Sequence, residues 1–181
     1  MDKIKRISFI FRVLFQIIFA VILFLPIIGW IQAPQPFLFS IGSISVIPEA
    51  YQKWIIQPLG ANTKLLAFIV DMVPTIVELL IVYFLIKLFR LYEQGEIFSL
   101  KNVRYIRNVG YGLLIYQLLM PIRQFLLGFI LTWHNPPGLR YAVVAINGTN
   151  VGIVLTALII ILISWIMAEG YKLREEQQLT I

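Results

Sequence analysis

One stretch of the chain, residues 65–91, is apolar for long enough to cross a lipid bilayer and still carries two acids. It reads LLAFIVDMVPTIVELLIVYFLIKLFRL, with Asp71, Pro74 and Glu78 inside the crossing. About 20 apolar residues span the hydrocarbon core as a helix, and an acid near its centre costs roughly 2.5–3.5 kcal/mol on insertion scales. Asp71 and Glu78 are two helical turns apart and therefore share one face. Two acids on one face indicate a polar partner or a water-filled site inside the protein.

The composition of the whole chain supports a membrane location. Hydrophobic residues make up 60% of the chain and charged residues 13%, and the mean hydropathy is +0.87. Soluble domains are about 45–50% apolar and about 25% charged, so lipid must solvate much of this chain. The basic residues stand at the ends of apolar runs, so the net charge of +6 indicates topology and contact with anionic lipid. It does not indicate direct nucleic-acid binding.

Four apolar runs predict an all-α, polytopic membrane protein, a single domain with four transmembrane helices. The helices are predicted at about residues 7–31, 65–91, 109–133 and 151–168. The first run is too long for the apolar region of a signal peptide, so we expect an uncleaved helix. Near its end, Trp30 has the position of an interfacial aromatic. Residues 48–57 predict a short amphipathic segment on the extracytoplasmic surface. It is either a cap over a four-helix bundle or a lid or partner-binding surface.

Two features predict the start and the packing of the third helix. Ser99 is a suitable N-cap for a helix that begins near Leu100, and this helix can continue directly into the third span. Gly110 and Gly112 follow within it. Because glycine lets neighbouring backbones approach closely, we expect both to lie at helix contacts.

The Lys and Arg residues of the loops and helix ends fall into two unequal sets. One side holds Lys3, Lys5, Arg6, Lys87, Arg90, Lys101, Arg104, Arg107, Lys172 and Arg174, and the other holds Lys53, Lys64 and Arg140. Cytoplasmic loops carry the excess of positive residues. We therefore predict that both termini lie in the cytoplasm, with the chain in a bacterial inner membrane.

The third span carries a base at the depth of the two acids. At about 1.5 Å per residue, Arg123 falls between Asp71 and Glu78 when depth is counted from the outer ends of the helices. We predict that Arg123 pairs with Glu78, Asp71 or both, and that its guanidinium holds a carboxylate by two hydrogen bonds. Gln117 and Gln124 extend this buried charge cluster. The cluster is either a clamp that fixes helix register, which we favour, or a polar cavity for a proton, an ion or a small ligand.

Signatures of catalysis are missing from the sequence. HExxH, GxSxG and P-loop patterns do not occur, the chain has no Cys, and His134 is its one His. Asp71 and Glu78 could form an intramembrane acid pair for hydrolysis, but the YD and GxGD pattern of such enzymes is missing. We expect a non-enzymatic protein without cofactor or metal.

Two segments predicted on the cytoplasmic side resemble a known family. Residues 92–99 read YEQGEIFS and lead into Asn102-Val103 and Ile106-Arg107, and the tail has Glu169-Gly170, LREE at 173–176 and LTI at 179–181. This pattern resembles DUF2975, small four-helix bacterial membrane proteins of unknown function that show G-x-I-F-S/T after the second helix and end near E-N-D-L-T-I. Here Gln177-Gln178 replaces Asn-Asp.

The resemblance implies an inner-membrane protein. Many members are encoded beside a small helix-turn-helix regulator, which suggests a membrane partner for a transcription factor, or an immunity or stress role. Two sets of charges could serve that role, a basic stripe and a pair of acids in the tail. They are Lys101, Arg104 and Arg107, and Glu175 and Glu176. The stripe either meets the tail acids or faces lipid phosphates.

Two functional hypotheses follow. The first is a signalling, accessory or immunity-type protein whose cytoplasmic face docks a partner, such as that regulator or another cytoplasmic protein. The alternative is a small-solute or ion transporter or channel component that uses the intramembrane acids. Because four helices are few for a carrier, this alternative would require a homo-oligomer.

Overall fold

The described part of the chain is entirely helical apart from its connections. The computed structural model describes residues 2–32, 55–56, 59–97, 99–142, 144 and 148–179. Within these residues the chain forms α1 (Asp2–Gln32), α2 (Ala61–Glu93), α3 (Leu100–Thr132) and α4 (Gly148–Leu179). All four are long and apolar enough to cross a membrane, so the predicted all-helical class and the four helices of spanning length are confirmed within the described residues. The amphipathic segment predicted at residues 48–57 lies outside the described residues except for Ile55 and Ile56.

The helices extend beyond the apolar runs that predicted them. The apolar run of the last helix ends near residue 168, but α4 continues to Leu179. The added residues are mainly Lys, Arg, Glu, Gln and Leu, which favour the helix, so α4 continues with a polar surface. At the start of α3, Ser99 Oγ accepts a hydrogen bond from the Asn102 backbone N–H at 3.4 Å, and the predicted start at Leu100 is confirmed.

The chain divides into two compact units, and α1, α2 and α3 contribute residues to both. The first unit comprises residues 1–20, 77–117 and 147–181. Its helices approach closely at glycines, as predicted. A Cβ on Gly110 would lie 2.6 Å from Ile161 Cγ1 and 3.2 Å from the Ala157 carbonyl oxygen of α4, and a Cβ on Gly112 would lie 2.6 Å from Ile81 Cγ1 of α2.

An aromatic cluster and an ion pair join α1 to α2 within the first unit. Phe11 stacks on Phe89 with ring centroids 5.2 Å apart, and Phe15 lies 5.5 Å from the same ring. One turn further along α2, Arg12 Nε lies 3.1 Å from Glu93 Oε2. The charged groups of α1 and α2 in this region therefore contact each other.

The second unit comprises residues 21–76 and 118–146. Its core consists of Trp30 from α1, Ala67 from α2, and Leu127 and Leu131 from α3, all at most 4% exposed. The ring of Trp30, predicted as an interfacial aromatic, is buried within this core, and its depth in a membrane stays a prediction. The ring packs against apolar side chains, and its indole N–H donates a hydrogen bond to Asp71.

The loop after α3 is tied to the end of that helix. Residues 136–139 form a turn in which the Leu139 N–H donates to the Pro136 carbonyl at 3.0 Å, and Gly138 supplies the positive φ of 93° that a type II turn requires at this place. The fully buried Thr132 accepts a hydrogen bond from the Tyr141 N–H at 2.9 Å. This bond holds the returning chain against the second unit.

Candidate functional site

Asp71 and Arg123 form a buried ion pair between α2 and α3 in the second unit. Asp71 is 5% exposed. Arg123 Nε donates to Asp71 Oδ1 at 2.5 Å, and Arg123 Nη2 contacts the same oxygen. From the sequence we predicted a guanidinium that holds a carboxylate by two hydrogen bonds, one to each oxygen. In the structure both contacts fall on one oxygen, because the other oxygen is already engaged.

The second carboxylate oxygen of Asp71 accepts a hydrogen bond from Trp30, a residue that the sequence did not predict at this site. Trp30 Nε1 donates to Asp71 Oδ2 at 3.0 Å. A buried indole N–H usually finds a hydrogen-bond partner, and a carboxylate inside an apolar core needs donors on both oxygens. One sequence feature could have predicted this contact. A tryptophan within an apolar helix can donate its indole N–H to an acid in a neighbouring apolar helix.

The surroundings of the pair are those of a structural contact. Ala67 precedes Asp71 by one helical turn and Leu127 follows Arg123 by one turn, and both are fully buried in the second unit's core. The Thr75 hydroxyl donates to the Asp71 backbone carbonyl at 2.8 Å, one position after Pro74. Within the described residues, no group of three or more His, Asp or Glu side chains is placed to hold a metal ion.

The other members of the predicted cluster are divided between the units. Gln124, half-buried, belongs to the second unit together with the ion pair, whereas Glu78 (half-buried) and Gln117 (buried) belong to the first. The five-residue cluster, and a contact of Arg123 with Glu78, therefore stay predictions. The ion pair and Trp30 are the part of this region that the structure brings together.

The connection between α2 and α3 is a defined turn in the first unit. The Glu96 N–H donates to the Leu91 carbonyl at 3.0 Å and the Gly95 N–H donates to the Tyr92 carbonyl at 3.1 Å. This pair of bonds is a Schellman motif, and Gly95 takes the left-handed position with φ 87°. The glycine of the GEIFS segment therefore ends α2, and the serine begins α3.

Asn102 joins the two halves of this turn. Its side chain is fully buried, and Nδ2 donates to the Ile97 carbonyl at 2.8 Å and also to the Glu96 carbonyl. These carbonyls have left α2 and are not yet in α3, so they lack helical partners. One amide side chain satisfies both and fixes the geometry of the connection.

A cavity lies beside this turn in the first unit. Its volume is about 310 Å³, and its lining comes from the start of α3 and the end of α4. The lining residues are Ser99, Val103, Met167, Gly170, Tyr171 and Arg174. The volume is at the lower end of the roughly 300–1,000 Å³ range of ligand pockets. The cavity therefore has room for one or two side chains or a small ligand.

The predicted contact residues lie on the two helices that line this cavity. They are Lys101 and Arg104, both exposed, Arg107, half-buried, and Glu175 and Glu176, both exposed. Whether the stripe on α3 meets the two acids of α4 stays a prediction. Their common location in the first unit places charged side chains close in sequence to the cavity lining.

Most of the chain matches one known protein family. A family model described as a protein of unknown function, DUF2975, matches residues 45–181. The chain belongs to the DUF2975 family. The match includes the turn between α2 and α3, the ion pair and the six described residues that line the cavity, whereas α1 with Trp30 precedes it. No curated protein and no solved structure shows significant similarity to this DUF2975 chain.

Proposed function

We propose that this DUF2975 protein is a non-enzymatic accessory or signalling protein of the bacterial cytoplasmic membrane. Both termini lie in the cytoplasm, as the distribution of Lys and Arg favours. The face made by the α2–α3 turn and the end of α4 docks a cytoplasmic protein. A helix-turn-helix regulator or an immunity partner is the kind of protein that the family context favours.

One observation supports this proposal above the others. The two segments that carry the family resemblance, GEIFS with Asn102 and the tail after Glu169, are distant in sequence but both contribute to the lining of one cavity. Elsewhere in the described residues the resemblance has no comparable shared feature. A turn that is fixed by a Schellman motif, an N-cap and a buried amide is a rigid base for recognition, which lowers the ordering cost of binding.

The transport alternative has weaker support. A carboxylate that relays a proton or an ion must be able to exchange partners, but both oxygens of Asp71 accept charge-assisted or indole hydrogen bonds inside an apolar core. Flux into proteoliposomes by the parent and by Glu78→Gln tests this alternative directly. Equal flux in both removes Glu78 from any pathway.

Filling the cavity tests the docking proposal. Gly170 lines the cavity, and a Cβ built on it meets no atom within 4 Å, so Gly170→Trp places a large side chain in the cavity without displacing the backbone. Gly152 on the same helix also has open space around it and is outside the lining. Gly152→Trp is therefore the matched control.

The readout is co-purification of cytoplasmic proteins with the full chain from its native membrane. We expect a protein that accompanies the parent and Gly152→Trp in constant ratio and is lost from Gly170→Trp. If every co-purifying protein is retained by Gly170→Trp, the cavity docks nothing and the proposal fails.

A further inference from the structure

We infer that the cavity between α3 and α4 binds a protein segment that presents one bulky apolar side chain flanked by carboxylates. This inference rests on the proposed docking function and specifies the chemistry of its partner. It follows from three properties of the cavity: its lining, its distance along the helices from the apolar spans, and the charges around it.

The lining is mostly apolar and small in extent. Val103 and Met167 contribute aliphatic and thioether surface, Tyr171 contributes a ring, and Gly170 leaves the space open. Among the described lining residues, Arg174 contributes a charge and Ser99 a hydroxyl group. A site of about 310 Å³ with this lining suits an apolar side chain, with an anionic group beside it for Arg174. In helix-in-groove recognition such an anchor is supplied by one face of an amphipathic helix.

One end of the cavity lies beyond the apolar spans, which favours a protein segment over a lipid acyl chain at that end. Val103 precedes the apolar run of α3, and Arg174 follows the apolar run of α4, by six residues each, or about 9 Å of helix. Ser99 is about 15 Å from the run by the same rise. The headgroup layer adds only about 5–8 Å on each side of the hydrocarbon. Ser99, Val103 and Arg174 are therefore accessible to a cytosolic protein. Met167 lies within the last apolar run, and Gly170 and Tyr171 lie within about 5 Å of its end.

The charges near the cavity are mainly basic on the α3 side. On α3, Arg107 follows Val103 by one helical turn, shares its face and is half-buried, and Arg174 lines the cavity from α4. Glu175 and Glu176 follow Arg174 directly, but residues one and two positions apart on a helix do not face one another. An acidic segment is therefore attracted to this edge, and the attraction extends over a Debye length of about 8–10 Å in physiological salt.

The same charges disfavour a second copy of this chain as the occupant. Arg174 lines the cavity, and a self-association that places this edge against its own copy would bring basic side chains together. Like charges across an interface oppose association. A partner of opposite charge is the occupant that the surface fits.

Photo-crosslinking from within the cavity tests the inference. Tyr171 is replaced by p-benzoylphenylalanine in the full chain in its native membrane, and the crosslinked peptide is sequenced by mass spectrometry. Leu162, which is 54% exposed on the same helix, carries the same group as the control and should crosslink to lipid. From position 171 we expect a segment of a cytoplasmic protein with an aromatic, Leu, Ile or Met side chain at the crosslink and acidic residues within one helical turn.

A synthetic peptide that copies the crosslinked segment then gives affinities by fluorescence anisotropy, with the full chain in phosphatidylcholine nanodiscs. Replacing the apolar anchor by Ala should weaken binding about ten- to a hundred-fold, and each Asp or Glu replaced by its amide up to about five-fold. Gly170→Trp should abolish binding, and Gly152→Trp should preserve it. Arg174→Glu should weaken binding at least five-fold, a loss that shrinks at high salt, whereas Lys64→Glu, with the same change of charge at the far end of α2, should not.

The possible results separate the inference from the proposed function. A cytoplasmic protein captured at position 171 through a basic or polar segment overturns the inference and leaves the docking function intact. Crosslinks from position 171 to phospholipid, to a second copy of the chain or to nothing overturn both. If Arg174→Glu leaves the affinity for the peptide unchanged, the positive charge of Arg174 does not contribute to binding, and this part of the inference is overturned.

Discussion

Arg123→Leu should destabilise the protein by about 3–5 kcal/mol, the usual cost of removing one partner from a buried ion pair. The hydrogen bonds of Asp71 lead to the same value independently. Arg123 makes two contacts to Oδ1, and hydrogen bonds to charged groups contribute about 1.5–3 kcal/mol each. Trp30 makes one contact, to Oδ2. Trp30→Phe, which keeps an aromatic ring but removes the N–H, should therefore cost about half as much as Arg123→Leu.

The double variant Asp71→Leu/Arg123→Leu separates the stranded charge from the lost contact. It removes both charges and leaves only the Trp30 N–H without its acceptor, at a cost of about 1–3 kcal/mol. We therefore expect the double variant to be more stable than Arg123→Leu. The measurement is the free energy of unfolding in a titration of mixed micelles with dodecyl sulfate, followed by tryptophan fluorescence. Arg104→Leu, an exposed position on the same helix, is the control and should stay within about 0.5 kcal/mol of the parent.

Two results would refute this reasoning. If Arg123→Leu loses less than 1 kcal/mol, Asp71 does not depend on the guanidinium. If the double variant is less stable than either single variant, the main contribution is packing by the side chains and the charges are secondary.

Three further changes test the first unit in the same unfolding assay. Gly95→Ala should cost roughly 1–2 kcal/mol because a non-glycine residue is strained at its positive φ; a change below 0.3 kcal/mol would contradict the Schellman geometry. Asn102→Leu should cost about 2 kcal/mol because two turn carbonyls lose their donor, and Asn102→Gln should not rescue it if geometry matters. Gly110→Ala should cost about 1–3 kcal/mol by overpacking against Ile161, whereas Gly152→Ala, with open space around it, should stabilise α4 by up to about 1 kcal/mol.

The sequence predicts the spans of this protein better than it predicts which sides of the helices are buried. An apolar run of sufficient length must cross the bilayer as a helix because no other structure satisfies its backbone there. The orientation of a helix about its own axis is a different matter. Leu126 and Leu127 are adjacent and identical, yet the first is 37% exposed and the second is fully buried. Since lipid is as apolar as a protein core, hydrophobic patterning does not distinguish them.

Small and polar residues carry the missing information. Gly110 and Gly112 were predicted at helix contacts because their size has no other use in a span, and Asp71 was predicted to have a partner because lipid offers none. The burial of Trp30 was not predicted because an amphipathic ring suits both the interface and a buried acceptor. Choosing between them required the position of Asp71, 41 residues further along the chain.

The ion pair then has a role that the apolar contacts of the second unit do not supply. After a slide of α2 along α3 by one helical turn, or 5.4 Å, Leu, Ile and Phe side chains of one helix would still contact Leu, Ile and Phe side chains of the other. The same slide breaks both Arg123 contacts to Asp71 together, because no hydrogen bond survives such a displacement, and it separates a carboxylate from its guanidinium in an apolar region. Polar groups placed once in a uniform apolar surface are known to fix register at some cost in stability. We infer that Asp71, held by Arg123 from α3 and by Trp30 from α1, selects one alignment of three helices from among several that apolar packing alone would allow.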